Sequence, residues 1–218
     1  MSAVCRVRHC GAPTSSRFSP HCLRHKSRLR RQGDVEQSAI RRSELAPYAA
    51  RVRKRIAKNT HSPLWGHLDA RWATLASSAK DAAGNRVQSR YQRQAAHEVL
   101  NLDAECSARD IAVTAMAMFM FWSERPERFL SDAAFRLQLV KRVRALSSRH
   151  SGLRYDHRTG KQERVYRELS PKAGMIVARD LTAAFGGAGL QLAELEKRDQ
   201  ERKQAMTDEI NQALRELV

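Results

Sequence analysis

The sequence lacks a hydrophobic segment long enough to cross a lipid bilayer. Its most apolar run, Ile111 to Trp122, is twelve residues long, whereas a membrane-spanning helix needs about 20 apolar residues. The apolar core of a secretory signal is also missing, because Cys5, Arg6 and Arg8 follow the initiator almost at once. We therefore expect a cytoplasmic protein with no membrane partner, in which the run at 111–122 forms a core helix.

Acidic and aromatic residues are both scarce. The 218 residues include 23 Asp and Glu against 40 Lys and Arg, which gives a formal net charge of +17, and only 6% of them are aromatic. The hydrophobic share of 42% is that of a globular chain, and the length suits one main domain with a smaller module. Arginine supplies 31 of the 40 cations, and its planar guanidinium binds phosphate or a guanine edge with two hydrogen bonds. This composition predicts a polyanionic partner.

The positive charge is concentrated in two zones of the sequence. Residues 1–58 hold 15 cations and 3 acids, and residues 136–172 hold 11 cations and 3 acids. The segments 59–135 and 173–218 have net charges of −1 and −2. A binding surface built from both basic zones is the natural prediction, provided that folding brings them to the same side of the protein.

Cysteine is concentrated near the N-terminus, where three of the four cysteines fall within the first 22 residues. In a reducing compartment, a cluster of cysteines and histidines indicates metal binding rather than disulfides. Thiolate and imidazole ligands suit a tetrahedral Zn²⁺ ion. We predict that the spacing C-x4-C-x11-C-x2-H supplies the four ligands Cys5, Cys10, Cys22 and His25.

The same segment has too few large apolar side chains to fold by itself. Val4, Val7, Phe18 and Leu23 are the sizeable ones in residues 1–34, and a bound metal would supply the missing folding free energy. Two further histidines lie beside the predicted ligands, and either could replace one of them: His9 and His21. The alternative is a disordered basic tail with free thiols.

Residues 1–34 resemble short zinc modules of phage and bacterial mobile-element proteins, some of which are attached to HNH endonucleases. The resemblance rests on C-x4-C, on C-x2-H followed by basic residues, and on Gly33-Asp34. Such modules often have Gly-Leu-Cys where this chain has Pro20-His21-Cys22. The resemblance implies metal binding and a DNA-related setting, and it implies no particular activity.

Residues 35–62 are predicted to form a basic helical linker whose cations cluster after Pro47. A solvated helix face is one interpretation, but a run of one sign repels itself unless a polyanion lies alongside. We therefore predict phosphate contact by the cations of the first zone. These are Arg24, Lys26, Arg28, Arg30, Arg31, Arg51, Arg53, Lys54, Arg55 and Lys58.

Residues 63–187 are predicted to form a helical core domain that carries the second basic zone. A helix from Ser131 to about Arg149 is the candidate recognition helix, ended by Gly152, and two short strands follow within residues 153–169. This helix and hairpin suggest a winged-helix-like arrangement on duplex DNA, the alternative being an exposed loop with solvated charges. The predicted contacts are Lys141, Arg142, Arg144, Arg149, Arg154, Arg158, Lys161 and Arg164.

The C-terminal part is predicted to be a separate helix. The segment Ala184 to Leu190, AFGGAGL, is interpreted as a helix cap and linker, since it lacks the lysine of a phosphate-binding loop. Residues 188–218 then form a helix that is polar from Glu196 to Gln204 and more apolar beyond. It would dock by its end or bind a protein partner. The expected fold class is mainly α, with a zinc module before the helical domain.

The sequence offers no complete catalytic constellation. Asp156-His157 could begin a ββα-metal nuclease motif, but no histidine follows it. We therefore expect a non-enzymatic binder of nucleic acid, with DNA favoured over RNA, such as a regulator or accessory factor of a mobile element or phage. The alternatives are a structural subunit of a larger ribonucleoprotein or nucleoprotein complex and, second, a nuclease.

Overall fold

The computed structural model of the chain describes residues 3–149 and 151–216, without the side chains of residues 151, 154, 163–165 and 214. The described part contains seven α-helices and one β-hairpin. They are α1 (Leu23–Gln32), α2 (Arg42–Lys58), α3 (Pro63–Gly84), α4 (Arg90–Glu105), α5 (Ala108–Glu124), α6 (Asp132–Arg144), β1 (Ser151–Asp156), β2 (Lys161–Tyr166) and α7 (Pro171–Glu216), with a 3-10 turn at Pro126–Arg128. The predicted fold class is confirmed: a Cys/His cluster precedes a mainly helical domain that carries a hairpin.

Helix α5 lies at the centre of the domain. Every residue from Ile111 to Phe121 is buried, and the helix packs against α2, α3, α6 and α7. A helix that is apolar on all sides must be enclosed by other elements. It begins after Ser107, whose Oγ accepts a hydrogen bond from the Asp110 backbone N–H at 3.0 Å. The predicted core helix is thus confirmed, and no helix in residues 3–149 and 151–216 has the length and apolar character needed to cross a membrane.

Helix α2 belongs to the core, so the prediction of a linker at 35–62 is wrong. Leu45 and Val52 are buried on one face of α2, and Tyr48 stacks on Phe121 of α5 with ring centroids 4.8 Å apart. These residues recur three and four positions apart and therefore share one side of the helix. The cations of α2 lie between these residues in sequence, and the apolar stripe was therefore not recognised from the sequence.

Helix α7 runs without interruption through the predicted cap and linker at 184–190, which corrects that interpretation and the boundary at 187/188. Its glycines permit close packing on α5. A Cβ atom at Gly189 would lie 2.8 Å from the Phe119 Cβ and 3.2 Å from the Met116 Cα. Glycine is therefore needed there for lack of space, and the helix continues because its other residues are good helix formers.

Helix α6 is also a core helix. It ends at Arg144 rather than near Arg149, and it buries eight of its thirteen residues. The apolar ones, such as Leu139 and Val143, face α5 and α7. A helix enclosed in this way cannot enter a DNA groove, so the structure does not support α6 as a recognition helix.

The hairpin after α6 has the predicted form. Strands β1 and β2 pair antiparallel, with Ser151 opposite Tyr166 and Asp156 opposite Lys161. Gly160 adopts a φ of +65° in the connecting turn, and its N–H donates to the Asp156 carbonyl oxygen at 2.9 Å. Gly152 lies within β1 and does not end a helix.

The N-terminal module is seated on α6 through the end of α1. Gly33 caps α1 with a φ of +87°, and its backbone lies so close to α6 that a Cβ atom would be 2.5 Å from the Ala133 carbonyl oxygen. The Gln32 Oε1 atom accepts hydrogen bonds from Gln138 Nε2 at 2.7 Å and from Lys141 Nζ at 2.9 Å. The module is therefore fixed to the helical domain and is not an independent appendage.

The close packing of α7 on α5 can be tested with two alanine substitutions in the same helix. Gly189→Ala should lower the free energy of unfolding by about 1 kcal/mol or more, because overpacking costs about 1–3 kcal/mol and exceeds the gain in helix propensity. Gly187→Ala is the matched control. A Cβ atom at Gly187 meets nothing within 4 Å, so this variant should gain about 0.5–1 kcal/mol. Urea denaturation measures the free energy of unfolding of both variants. A change in the same direction for both would contradict the close packing of Gly189 on α5.

Candidate metal centre and its basic surroundings

A tight loop brings the first two cysteines together. Val4 and Pro13 form an antiparallel bridge, and the Cys5 N–H donates to the Ala12 carbonyl oxygen at 2.9 Å. Between them the chain reverses through positive φ angles at His9 (59°) and Gly11 (60°), a conformation that glycine adopts without strain. The loop thereby directs the thiols of Cys5 and Cys10 to the same point.

The start of α1 supplies the other two side chains. Cys22 is the residue immediately before the helix, and His25 is its one buried residue. Residues three positions apart lie on the same face of a helix, so the thiol and the imidazole point the same way.

The four side chains have the spacing of a tetrahedral metal site. The His25 Nδ1 atom lies 3.4 Å from the Cys5 Sγ and 3.3 Å from the Cys22 Sγ, and the Cys10 and Cys22 Sγ atoms are 3.7 Å apart. With metal–sulfur bonds of about 2.3 Å, a tetrahedron has S···S edges of about 3.8 Å and S···N edges of about 3.6 Å. The cluster Cys5, Cys10, Cys22 and His25 can therefore hold a metal ion.

The flanking histidines are outside this cluster. Among the described residues, the group of three or more potential ligand atoms that lie within 4.8 Å of one another consists of the four predicted residues. His9 is exposed and occupies the positive-φ turn. His21 precedes Cys22, and its Nδ1 atom is buried with no hydrogen-bond partner among the described residues. The arrangement therefore favours the predicted set over one that includes either neighbour.

The thiols differ in their acidity. Burial raises the pKa of Cys5, but hydrogen bonds from the backbone of Cys22 and Val7 and from the His25 side chain outweigh burial and lower the pKa to about 6. The backbone at Ala12 lowers the pKa of Cys10, but burial and the two neighbouring thiols outweigh it and raise the pKa. The site thus favours the thiolate of Cys5 and resists that of Cys10, a repulsion that a bound cation would relieve.

Half of the cations predicted to contact nucleic acid lie at or near the surface and are not paired with any described Asp or Glu side chain. All but the half-buried Arg28 are exposed, and none of them forms a salt bridge within the described part of the chain. They lie on α1, on α2 and at the hairpin turn. They are Arg24, Lys26, Arg28, Arg30, Arg53, Lys54, Lys58, Arg158 and Lys161.

Five of the predicted cations instead join distant elements through carboxylates. The pairs are Arg31–Glu168 (2.7 Å), Arg51–Glu124 (2.7 Å), Arg55–Glu196 (2.7 Å), Arg144–Glu98 (2.7 Å) and Arg149–Glu105 (3.0 Å). Arg144 has only 4% of its surface exposed. A buried guanidinium needs its carboxylate, so we assign Arg144 a structural role. The side chains of Arg154 and Arg164 lie outside the described residues.

The two basic zones of the sequence meet where α1 contacts α6 and the end of β2. Arg30 and Arg31 line a cavity of about 70 Å³ together with Lys141, Arg144 and Tyr166. Burial, opposed by Glu168 and assisted by the charges of Arg31, Arg142 and Arg144, lowers the pKa of Lys141 to about 8. Folding has therefore concentrated cations at one place, at an electrostatic cost that an anion would reduce.

Arg142 is the other half-buried cation of this region. Burial lowers its pKa, and its Nε atom is buried with no hydrogen-bond partner among the described residues. Three further residues surround these cations and were not predicted from the sequence, because no local pattern marks them: Gln32, Tyr166 and Glu168.

No protein-family model, curated protein or solved structure matches the chain. The function of the site therefore has to follow from its own geometry.

Metal content tests the cluster directly. The purified chain should contain about one tightly bound metal ion, and Cys10→Ser should release it and unfold the N-terminal module, because the module has almost no apolar core. Elemental analysis and circular dichroism measure the two effects. Cys106→Ser is the control, since Cys106 follows α4 and is not part of the cluster. Equal metal content in both variants would contradict the ligand assignment.

Proposed function

We propose that this chain is a zinc-containing nucleic-acid-binding protein, acting as a DNA-binding regulator or accessory factor of a mobile element or phage. The observation that carries the proposal is the meeting of the two basic zones at the end of α1, the helix whose start supplies Cys22 and His25, where Arg30, Arg31 and Lys141 line one cavity. Phosphate groups are the ligands that such a concentration of Arg and Lys attracts most strongly.

The chemistry of the cluster favours zinc. Three thiolates and one imidazole are soft and borderline ligands, which suit Zn²⁺ and disfavour Mg²⁺ or Ca²⁺. A closed set of four protein ligands leaves no position for a substrate, so the metal would be structural. Elemental analysis of the untagged protein should therefore find zinc rather than iron or another transition metal as the bound ion.

Helix α1 is the part of the module suited to follow a phosphate backbone. It has five cations and no acidic residue, and Arg24, Lys26 and Arg30 are exposed. The metal ligands Cys22 and His25 fix its first turn, and Gly33 fixes its end against α6. Its charges are thus held in place before a ligand arrives, which lowers the entropic cost of binding.

The hairpin would provide the second contact. Its turn carries exposed Arg158 and Lys161, and Glu168, just beyond β2, is paired with Arg31 of α1 at 2.7 Å. Asp156 closes this turn by accepting hydrogen bonds from the Arg158 N–H at 2.9 Å and the Thr159 hydroxyl at 3.1 Å. We assign Asp156 to turn geometry and propose that the chain acts by binding and not by catalysis.

Salt-dependent binding tests the proposal. Affinity for duplex DNA should exceed that for single strands and structured RNA, and log K should fall by about 0.9 for each neutralised phosphate as log salt rises. Fluorescence anisotropy at two salt concentrations gives both quantities. Arg30→Gln should weaken binding and reduce the slope by about one phosphate. Lys80→Gln, an exposed cation of α3 in the neutral segment, is the control and should change neither.

The position of Lys141 predicts a pH dependence of binding. Its pKa is lowered to about 8 in the folded chain, and a phosphate nearby would raise it, so binding should take up a proton. Affinity for duplex DNA should therefore decline as the pH rises above 8, and Lys141→Met should decline less over the same interval. Titration of affinity between about pH 7 and pH 10 measures this.

The lowered pKa of Lys141 also determines how the free energy of unfolding of the unbound chain changes with pH. The folded pKa of Lys141 lies below its usual value of 10.5, so the charged amine destabilises the fold below pH 8, and this cost declines as the pH rises from 8 to 10.5. Lys141→Met should therefore raise the free energy of unfolding at pH 7 more than at pH 9. The opposite sign would contradict the burial of a charged amine at this position.

A further inference from the structure

The end of α7 projects away from the helical domain. Leu192 and Ala193 are its last buried residues, and every described side chain from Glu201 to Glu216 is exposed. Arg55 of α2 still contacts Glu196 and Asp199, and at about 1.5 Å per residue the segment beyond Asp199 extends for about 25 Å. A helix without tertiary contacts is only marginally stable in water, so an unaccompanied projection of this length is unfavourable.

The projecting segment carries an apolar stripe. Met206, Ile210 and Ala213 are spaced by four and then three residues, the pattern of a helix that packs lengthwise against another helix. Met206 is 65% exposed and Ile210 is 51% exposed. Large apolar side chains at consecutive core positions of this pattern indicate a surface that another helix covers.

The charges of the segment are complementary to a second copy of itself. Residues 200–207 hold two cations and one acid, whereas residues 209–216 hold two acids and one cation. Net charges of +1 and −1 therefore follow one another along a single helix. Two identical helices side by side oppose like charges when parallel and opposite charges when antiparallel.

We propose that residues 200–216 of α7 pair in antiparallel fashion with the same residues of a second copy of this chain. The dyad lies between Met206 and Ile210, so that Met206 of each copy packs on Ile210 of the other. The basic half then lies along the acidic half of the other copy, and Lys203 lies opposite Ala213. An interface of this kind is self-complementary, as twofold symmetry requires.

The contacts within each chain are compatible with this pairing. Arg55 holds Glu196 at 2.7 Å and Asp199 at 2.6 Å, which anchors the helix to α2 just before the paired segment begins. Gln204 donates to Asp208 at 2.8 Å and Gln212 to Glu216 at 3.1 Å along one helix. These contacts hold the segment helical and leave its apolar stripe uncovered.

Sedimentation of the full chain without nucleic acid tests the pairing independently of the proposed function. The chain should sediment at tens of micromolar with twice its mass of 24.7 kDa, and Ile210→Glu should convert it to the monomer. Asn211→Glu is the matched control, because it adds the same charge one residue away on the opposite face, and it should remain dimeric. A monomeric chain, or a dimer unaffected by Ile210→Glu, would overturn the proposal.

Circular dichroism separates loss of pairing from loss of folding. Ile210 is exposed on the projecting segment, so Ile210→Glu should retain the unfolding transition of the helical domain. A second variant, Met206→Lys, should dissociate the dimer in the same way.

Cross-linking determines the orientation. Chains with Lys203→Cys and chains with Ala213→Cys, each also carrying Cys106→Ser, are mixed and oxidised. Antiparallel pairing predicts a disulfide between the two different variants, since positions 203 and 213 are opposite. Efficient cross-linking of either variant with itself indicates parallel helices and would refute the antiparallel arrangement.

Discussion

The enclosure of α5 is the constraint on which the rest of the domain depends. Eleven consecutive buried residues, Ile111 to Phe121, leave this helix no face that could remain in water. Four helices therefore surround it, and α7 approaches so closely that Gly189 leaves no room for a side chain. Because α6 is held against α5 and α7, Gly33 of the module packs against its N-terminus and the hairpin follows its C-terminal end. The cations of α1, α6 and the hairpin are thus brought together by apolar packing.

The cations fall into two structural groups that the composition does not distinguish. Some arginines hold elements together: Arg144 bonds Glu98 in the interior, and Arg55 joins α2 to α7. Other cations, including Arg24 and Arg30, remain exposed on α1. The first group stabilises the fold through hydrogen-bonded pairs with little exposure. The second group is the one that a polyanion can reach.

Neither end of the described chain has a hydrophobic core of its own. The N-terminal module has few apolar side chains, and its four converging side chains can hold a metal ion, which would supply the missing stability. The end of α7 has the opposite deficiency, because it displays Met206 and Ile210 with no partner surface among the described residues. In the proposed dimer, a second copy covers them. Two modules would then be carried by one particle, which strengthens binding to an extended ligand without any new contact type.

The sequence alone determined those features that local spacing controls. The metal ligands, the central helix and the hairpin were predicted because a knuckle, an apolar run and a turn each act over a few neighbouring residues. Tertiary structure decided the rest. Only packing shows that α2 is part of the core, that α6 is enclosed, and that the glycines of 184–190 admit α5 rather than end a helix. It likewise decided which arginines face carboxylates, since Arg144 and Glu98 are 46 positions apart and sequence carries no signal at that range. The whole fold determines which side chains are neighbours, whereas the spacing of apolar residues is a property of each helix by itself.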